Sequence, residues 1–198
     1  MILPEIKPLS KRKEEILTQA QILFSEAGYR SASMRNLADR LQIKAASLYS
    51  NFDNKEEMLW EIALRCAKSF FDKIDPICQV SLPADQKLRA LLEAHIEVII
   101  ENRDASAIFF EQWKYLGDAK RDQYAAIQHT YEQKFVDVLR EGEANGLFKS
   151  MNSRFVSLSL LSASNWISRW YQPEGKMAVE DIKDELIQVL MNGVCVRK

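Results

Sequence analysis

The stretch from Ser33 to Lys55 constrains the fold of this 198-residue chain more than any other, because it encodes two short helices joined by a tight turn. The first helix carries one apolar stripe at i, i+3, i+4 and i+7: Met34, Leu37, Ala38 and Leu41. Ser33 is placed to cap this helix by accepting hydrogen bonds from its free N–H groups. Residues 42–44 form the turn, and the second helix is predicted over residues 45–51. Helices this short are unstable alone, so neighbouring elements must hold them.

The second helix has little apolar surface to bury. Leu48 pairs with Phe52 at i+4, whereas the remaining side chains of residues 45–51 are small or form hydrogen bonds. The major groove of DNA accepts a helix whose leading side chains are small or reach base edges and phosphates. These residues alone leave two readings open, a DNA-reading head or a solvated three-helix packing unit.

Lys55 follows Asn54, which is placed to cap the next helix, with Glu57 in the capping-box position. A cation in the first turn of a helix is disfavoured by the helix dipole, and a neighbouring phosphate would remove that penalty. We therefore predict a phosphate contact for Lys55. The complete set of predicted DNA-binding residues is Ser33, Arg35, Lys44, Ala45, Ala46, Ser47, Tyr49, Ser50, Asn51 and Lys55.

The motif over residues 10–60 resembles the helix-turn-helix of the TetR/AcrR family of bacterial repressors. The resemblance rests on Leu37-Ala38, Ile43, the run 47–52 (Ser-Leu-Tyr-Ser-Asn-Phe) and the run 54–59 (Asn-Lys-Glu-Glu-Met-Leu). Three positions depart from the family pattern, which usually has Gly at Gln42, Ser or Thr at Lys44 and often His at Asn51. Lys44 cannot cap the second helix as a hydroxyl would. The resemblance implies that the chain binds DNA.

The net charge of −1 does not by itself favour a nucleic-acid partner, but its distribution does. Residues 1–55 hold nine Lys and Arg against six Asp and Glu, and the remainder holds 18 against 22. The three cysteines form no CxxC pair, which fits reduced thiols in a cytosol. No signal peptide or membrane-spanning stretch is visible, so we expect a cytoplasmic protein without membrane contact.

Helical periodicity continues along the chain, and we predict an all-α fold. A first helix runs from near Ser10 to Gly28, and a connecting helix occupies residues 55–74 and ends at Pro76. Two domains are predicted. Residues 1–55 form an N-terminal three-helix helix-turn-helix domain that binds DNA, and residues 75–198 form a C-terminal helical bundle for ligand binding and dimerisation.

The C-terminal half is rich in aromatic residues, which either line a ligand cavity between helices or form plain core. The predicted ligand-binding residues are Phe109, Trp113, Tyr131, Trp166, Arg169 and Trp170. Asn165-Trp166 and the run 170–175 (Trp-Tyr-Gln-Pro-Glu-Gly) resemble a TetR subgroup that responds to acyl-CoA thioesters. By that resemblance Arg169 is a candidate contact for a ligand phosphate, with a surface salt bridge as the equal alternative.

The last two predicted helices, residues 153–170 and 179–194, carry apolar stripes that one small bundle need not bury alone. The counterparts of these helices form the dimer interface in the resembling family. Two recognition helices about one DNA turn apart, roughly 34 Å, would read a palindromic operator.

The sequence therefore predicts a ligand-responsive transcriptional repressor that binds its operator as a homodimer and is released by a small hydrophobic or acyl-CoA-type effector. A helical ligand-binding or interaction protein with a purely structural helix-turn-helix is the alternative. His95 and His129 lie in different predicted helices without a linked nucleophile, and Glu93 and Glu97 are spaced poorly around His95 for metal binding. We expect no enzyme activity, catalytic residue, metal site or cofactor.

Overall fold

The computed structural model describes residues 3–175 and 177–196, and its helices follow the predicted order. The helices in these ranges are α1 Lys11–Ala27, α2 Met34–Arg40, α3 Ala45–Tyr49, α4 Lys55–Gln79, α5 Ala84–Glu101, α6 Arg103–Glu111, α7 Asp118–Ala144, α8 Ser153–Asn165, α9 Ile167–Trp170 and α10 Val179–Val194, with a 3-10 turn at Trp113–Tyr115. An isolated antiparallel bridge joins Phe148 and Cys195. The all-α prediction is confirmed.

The chain divides into two compact units. The first unit, which we call the head, comprises residues up to Lys68 together with Asp104–Ala126, and the second comprises Ser69–Arg103 together with the chain from Ile127 onward. The first unit therefore includes a segment that lies far along the chain from its helix-turn-helix.

The core of the first unit forms where α1, α2 and α3 turn their apolar stripes inward. Its fully or almost fully buried side chains are Ile16, Ala20, Phe24, Leu37, Ala38, Leu48, Phe52, Met58 and Leu59. Ser10 caps α1 by accepting a hydrogen bond from the Lys13 backbone N–H, and Gly28 follows the helix at φ 77°. Both ends of α1 are where the sequence predicted them, because a hydroxyl cap and a glycine with positive φ are strong local signals.

The end of the connecting helix was predicted incorrectly. α4 continues through Pro76 to Gln79. A proline removes one helical hydrogen bond and crowds the carbonyl four residues earlier, so it disturbs the turn that precedes it. Ile77 and Cys78 are partly buried in the last turn, and their packing supports the extra residues.

The second unit is a bundle in which α5 contacts α8, α9 and α10. The stretch predicted as one helix over residues 153–170 is two helices, α8 and α9, and the junction has a local cause. The Ser168 hydroxyl donates to the Asn165 carbonyl at 2.8 Å, and the Arg169 N–H donates to Trp166 instead of Asn165. No helix among the described residues has the length and apolar character needed to cross a membrane.

Candidate nucleic-acid interface

The recognition helix α3 is anchored by one face and exposed on the other. Leu48 is completely buried, and Phe52 just beyond the helix is almost completely buried. The exposed face consists of small side chains and one tyrosine: Ala45, Ala46, Ser47 and Tyr49. Tyr49 is 53% exposed. The buried anchors hold a short helix so that its polar face can approach a groove.

Two predicted contact residues close the C-terminal end of α3, which is shorter than predicted. The Ser50 hydroxyl donates to the Ser47 carbonyl at 2.9 Å, and the Asn51 side-chain amide donates to the same carbonyl at 2.8 Å. Ser50 remains exposed and Asn51 is partly buried. These side chains therefore have a structural role at the helix end.

The turn between α2 and α3 is a Schellman motif. The Ile43 N–H donates to the Ala38 carbonyl at 3.0 Å, and the Gln42 N–H donates to the Asp39 carbonyl at 3.1 Å. Gln42 has a φ of 54°, the left-handed conformation that glycine adopts without steric penalty. The sequence departure at Gln42 thus places a strained residue at the centre of the helix-turn-helix.

The N-terminal ends of α2 and α3 are built differently. Ser33 caps α2 by accepting from the Asn36 N–H at 3.1 Å, and the Asn36 side chain accepts from the Ser33 N–H at 3.1 Å. Lys44 precedes α3 and makes no side-chain capping bond, as the sequence predicted.

Arg35 and Lys44 are exposed, and within the described chain neither has an ion-pair partner. Arg40, in contrast, pairs with Glu26 at 2.7 Å.

The Lys55 ammonium has hydrogen-bond partners within the chain, whereas the sequence predicts a phosphate as its partner. Its ammonium donates to the carbonyls of Tyr29 and Ala32, both at 2.7 Å. It also lies 4.2 Å from the centroid of the Tyr29 ring. Burial lowers the pKa of Lys55. Two carbonyl dipoles offset the penalty that the helix dipole imposes on this cation, so no phosphate is needed to stabilise Lys55, and the proposed interface does not include it.

Residues 104–126 contact the segment around the helix-turn-helix, and the sequence did not predict these contacts. The rings of Tyr29 and Tyr115 stack with centroids 5.3 Å apart. Glu56 accepts from the Gly117 N–H at 3.2 Å and pairs with Lys120 at 3.2 Å. These partners are separated by some 60 or more residues, so no local sequence pattern predicts the contacts.

The predicted ligand-binding residues fall into separate groups. In the first unit Phe109 and Trp113 both pack on Tyr124, with ring centroids 5.0 and 5.7 Å away. In the second unit Tyr131 is buried, whereas Trp166 and Trp170 are 59% and 45% exposed. The exposed Arg169 guanidinium lies 5.2 Å from the centroid of the Trp166 ring. The set therefore combines two buried residues, Phe109 and Tyr131, with four exposed ones: Trp113, which is 38% exposed, Trp166, Arg169 and Trp170.

His95 is a buried residue of the second unit to which the sequence assigned no site. Its Nδ1 is 2.9 Å from the Tyr131 hydroxyl and its Nε2 is 2.9 Å from Asn165 Oδ1. Burial lowers the pKa of His95 to about 4, although the Asn165 hydrogen bond acts in the opposite direction. The imidazole is therefore neutral near pH 7. Tyr131 and Asn165 are 36 and 70 residues away in the chain, beyond the reach of a spacing argument.

The second unit also exposes an apolar face on each of two helices. On α8, Phe155 is 69% exposed, and Leu158 and the following Trp166 lie at helical spacing from it. On α10, Val189 is 66% exposed, and Leu186 and Leu190 are partly exposed. Ile182, which the sequence placed on the same stripe, is buried.

Comparisons with known proteins agree with the geometry of the head. Residues 16–62 match the family described as "Bacterial regulatory proteins, tetR family", and residues 81–194 match the family described as "Tetracyclin repressor-like, C-terminal domain". The HTH-type transcriptional repressor KstR2 of Rhodococcus jostii is 30% identical over 93% of this chain and 92% of its own length.

Solved structures share the fold along almost the whole chain. The ketosteroid transcriptional regulator KstR2 of Mycobacterium tuberculosis superposes with a TM-score of 0.89 at 22% identity, covering 98% of this chain and all of the other. AibR in complex with isovaleryl coenzyme A and operator DNA gives a TM-score of 0.84 at 23% identity, covering 91% and 98%. The chain belongs to the TetR family of bacterial regulatory proteins and is a DNA-binding transcriptional regulator.

Proposed function

We propose that this protein represses transcription by binding a palindromic operator as a homodimer, and that an acyl-CoA-type effector releases it. The observation that carries the DNA-binding part is the exposed small-residue face of α3 above buried Leu48 and Phe52. Ala45 and Ala46 allow close approach to a groove, and Ala side chains contact thymine methyl groups. Ser47 and Tyr49 present hydroxyls suited to base edges or phosphates, and Arg35 and Lys44 supply positive charge at the two helix starts.

A titration against duplex DNA from the protein's own upstream region, at two salt concentrations, tests this part. Counterion release makes the logarithm of affinity fall linearly with the logarithm of salt concentration. Lys44→Gln should lower the slope by about one, as expected for one phosphate contact. Arg140→Gln, which removes an exposed charge from α7, is the matched control and should leave the slope unchanged. Binding without salt dependence would favour the alternative, an interaction protein with a structural helix-turn-helix.

The dimer is proposed to form through the exposed faces of α8 and α10, which carry Phe155, Leu158 and Val189. Exposed apolar side chains grouped on one face are typical of protein–protein interfaces. Two heads about 34 Å apart, one DNA turn, would read the two halves of a palindrome with combined affinity. In this proposal residues 1–55 provide DNA binding and residues 75–198 provide ligand binding and dimerisation, while residues 104–126 of the latter range pack within the first unit.

An acyl-CoA thioester is the proposed effector. The motif around Asn165-Trp166 and residues 170–175 resembles the thioester-responsive subgroup, and AibR, solved in complex with isovaleryl coenzyme A and operator DNA, has the same fold. The Arg169 guanidinium lies over the exposed Trp166 ring, an arrangement suited to the phosphates and adenine of CoA. Linkage requires that the effector prefers a state with weaker operator affinity, with a coupling free energy of typically ~1–3 kcal/mol.

The effector part is tested by adding a panel of acyl-CoA thioesters to the protein–DNA complex. Release of specific binding by one thioester would support both the regulator and the ligand class. Specific binding that is indifferent to all of them would retain the regulator and reject the ligand class. The proposed function needs no catalytic group, metal or cofactor, and it places the protein in the cytoplasm with its operator.

A further inference from the structure

A cluster of three polar side chains extends from the apolar interior of the second unit: His95 on α5 and Tyr131 on α7 are buried, and Asn165 at the end of α8 is partly buried. Aromatic rings surround the imidazole, with the centroids of Phe70 and Phe135 at 5.0 and 6.2 Å from its own. Burying polar groups is unfavourable unless they are hydrogen-bonded. Apolar side chains could fill the same part of the core without needing hydrogen-bond partners. A function therefore explains this polar cluster better than stability does.

The hydrogen bonds define which nitrogen of the His95 imidazole is the donor and which is the acceptor. An amide oxygen only accepts, so Nε2 carries the proton toward Asn165 Oδ1, and the neutral ring accepts at Nδ1 from the Tyr131 hydroxyl. The acceptor for the Nε2–H is a side chain and not a helix backbone group. A ligand oxygen can therefore replace Asn165 without breaking a helical hydrogen bond.

The cluster lies next to members of the predicted ligand set. Tyr131 belongs to both the cluster and the predicted ligand set, and Asn165 directly precedes Trp166, whose exposed ring contacts Arg169. A CoA thioester has a phosphate-bearing nucleotide at one end and an acyl group at the other. The surface pair Trp166–Arg169 matches the nucleotide, and the ring-lined imidazole matches an acyl group that carries a polar atom.

We propose that His95 recognises an oxygen atom on the acyl chain of the effector, with the Nε2–H donating to an oxo or hydroxyl oxygen in place of Asn165. This inference rests on the proposed function, because it assumes a thioester effector. It narrows the effector to acyl thioesters that are oxygenated on the acyl chain. Displacing Asn165 also breaks the side-chain hydrogen bond that joins α5 to the end of α8, the helix that bears Phe155 and Leu158.

Acetoacetyl-CoA and butyryl-CoA test the proposal, since they differ by one carbonyl group on the acyl chain. Calorimetric titration of the full-length protein should show about tenfold or greater preference for acetoacetyl-CoA, because a site built to hydrogen-bond an oxygen rejects the analogue that lacks it. His95→Phe keeps a ring among the aromatic side chains and should lose this preference while still binding butyryl-CoA. Ser157→Ala is the matched control. It removes a buried hydroxyl elsewhere on α8, which donates to the Glu132 carbonyl at 3.4 Å, and it should retain the preference.

Asn165→Ala provides a second test that does not depend on the folding of His95→Phe. It removes the competing acceptor and should tighten binding of acetoacetyl-CoA more than that of butyryl-CoA. Equal binding of both thioesters by the wild-type protein, or an unchanged preference in His95→Phe, would overturn the inference and leave the regulator standing. DNA binding with no response to either thioester would reject the thioester effector and this inference together. Absence of DNA binding would reject the proposed function itself.

Discussion

The Lys55 ammonium donates to the backbone carbonyl of Tyr29 at 2.7 Å and lies 4.2 Å from the centroid of the ring of the same residue. The lysine at the start of α4 thus closes the connection between α1 and α2. Lys55 stabilises the head from inside, whereas the sequence had placed it on the DNA.

Lys55→Met keeps most of the aliphatic stem and removes the charged donor. Hydrogen bonds to charged groups contribute about 1.5–3 kcal/mol, so we expect the free energy of unfolding to fall by about 2 kcal/mol. Urea unfolding at fixed protein concentration measures this change. The salt slope of DNA binding should stay as in the wild type. A slope lowered by about one with normal stability would restore the phosphate contact.

Gln42→Gly should stabilise the head. A left-handed residue other than glycine is disfavoured by about 1–2 kcal/mol, and the extra backbone entropy of glycine offsets about 0.5–1 kcal/mol of this gain. The expected net increase is about 0.5–1 kcal/mol in the free energy of unfolding, seen as a higher Tm. Gln42→Ala retains the strain at φ 54° and serves as the control. A lower Tm in the glycine variant would show that the Gln42 side chain makes a compensating contact.

Tyr49→Phe should weaken operator binding without loosening the dimer. The tyrosine is 53% exposed on α3, so loss of its hydroxyl leaves the core intact. A single hydrogen bond contributes about 1 kcal/mol, which corresponds to roughly fivefold weaker affinity. Fluorescence anisotropy with labelled duplex gives the affinity, and sedimentation gives the oligomeric state. Unchanged operator affinity would remove Tyr49 from the interface.

Phe155→Glu should convert the dimer to monomers. The side chain is 69% exposed in the single chain, so a glutamate there is well solvated in the monomer. In a dimer interface the same carboxylate would be buried without a partner, which is strongly unfavourable. Size-exclusion chromatography with light scattering distinguishes the two states. Val80→Glu, which charges an apolar side chain exposed just after α4, is the comparison and should leave the oligomeric state unchanged.

Stability should depend on pH through His95. Burial lowers the pKa of His95 in the folded chain to about 4, below the 6.5 of a solvated histidine. Between pH 6.5 and 4 the unfolded chain binds a proton that the folded chain does not, so stability falls as pH falls through this window, by up to roughly 1.4 kcal/mol per pH unit. The contribution is fully present above pH 6.5. Chemical unfolding at pH 7 and pH 5 should show a smaller difference for His95→Phe than for the wild type.

Helix positions were predictable where the signal is local. Ser10 and Ser33 cap α1 and α2, and Gly28 ends α1, because each acts through backbone groups within four residues. The recognition helix could be recognised for a similar reason, since Leu48 was the apolar anchor among small and polar neighbours.

The features that the sequence did not predict correctly have a common physical origin. Pro76 stays inside α4 where packing in the last turn outweighs a local preference. Lys55 binds carbonyls that lie 26 and 23 residues earlier, and His95 finds partners in two other helices. Spacing along the chain describes one helix face, whereas these contacts depend on how helices are brought together.

Residues 104–126 make the head a composite of two chain segments, with Tyr115 stacked on Tyr29 and Gly117 bonded to Glu56. This affects how such regulators can be recombined. A hybrid that exchanged only residues 1–68 for those of another regulator would leave the second segment facing foreign side chains. A hybrid that takes its operator preference from another regulator must therefore take both partners of each contact from that regulator, at Tyr29 and Tyr115 and at Glu56 and Gly117.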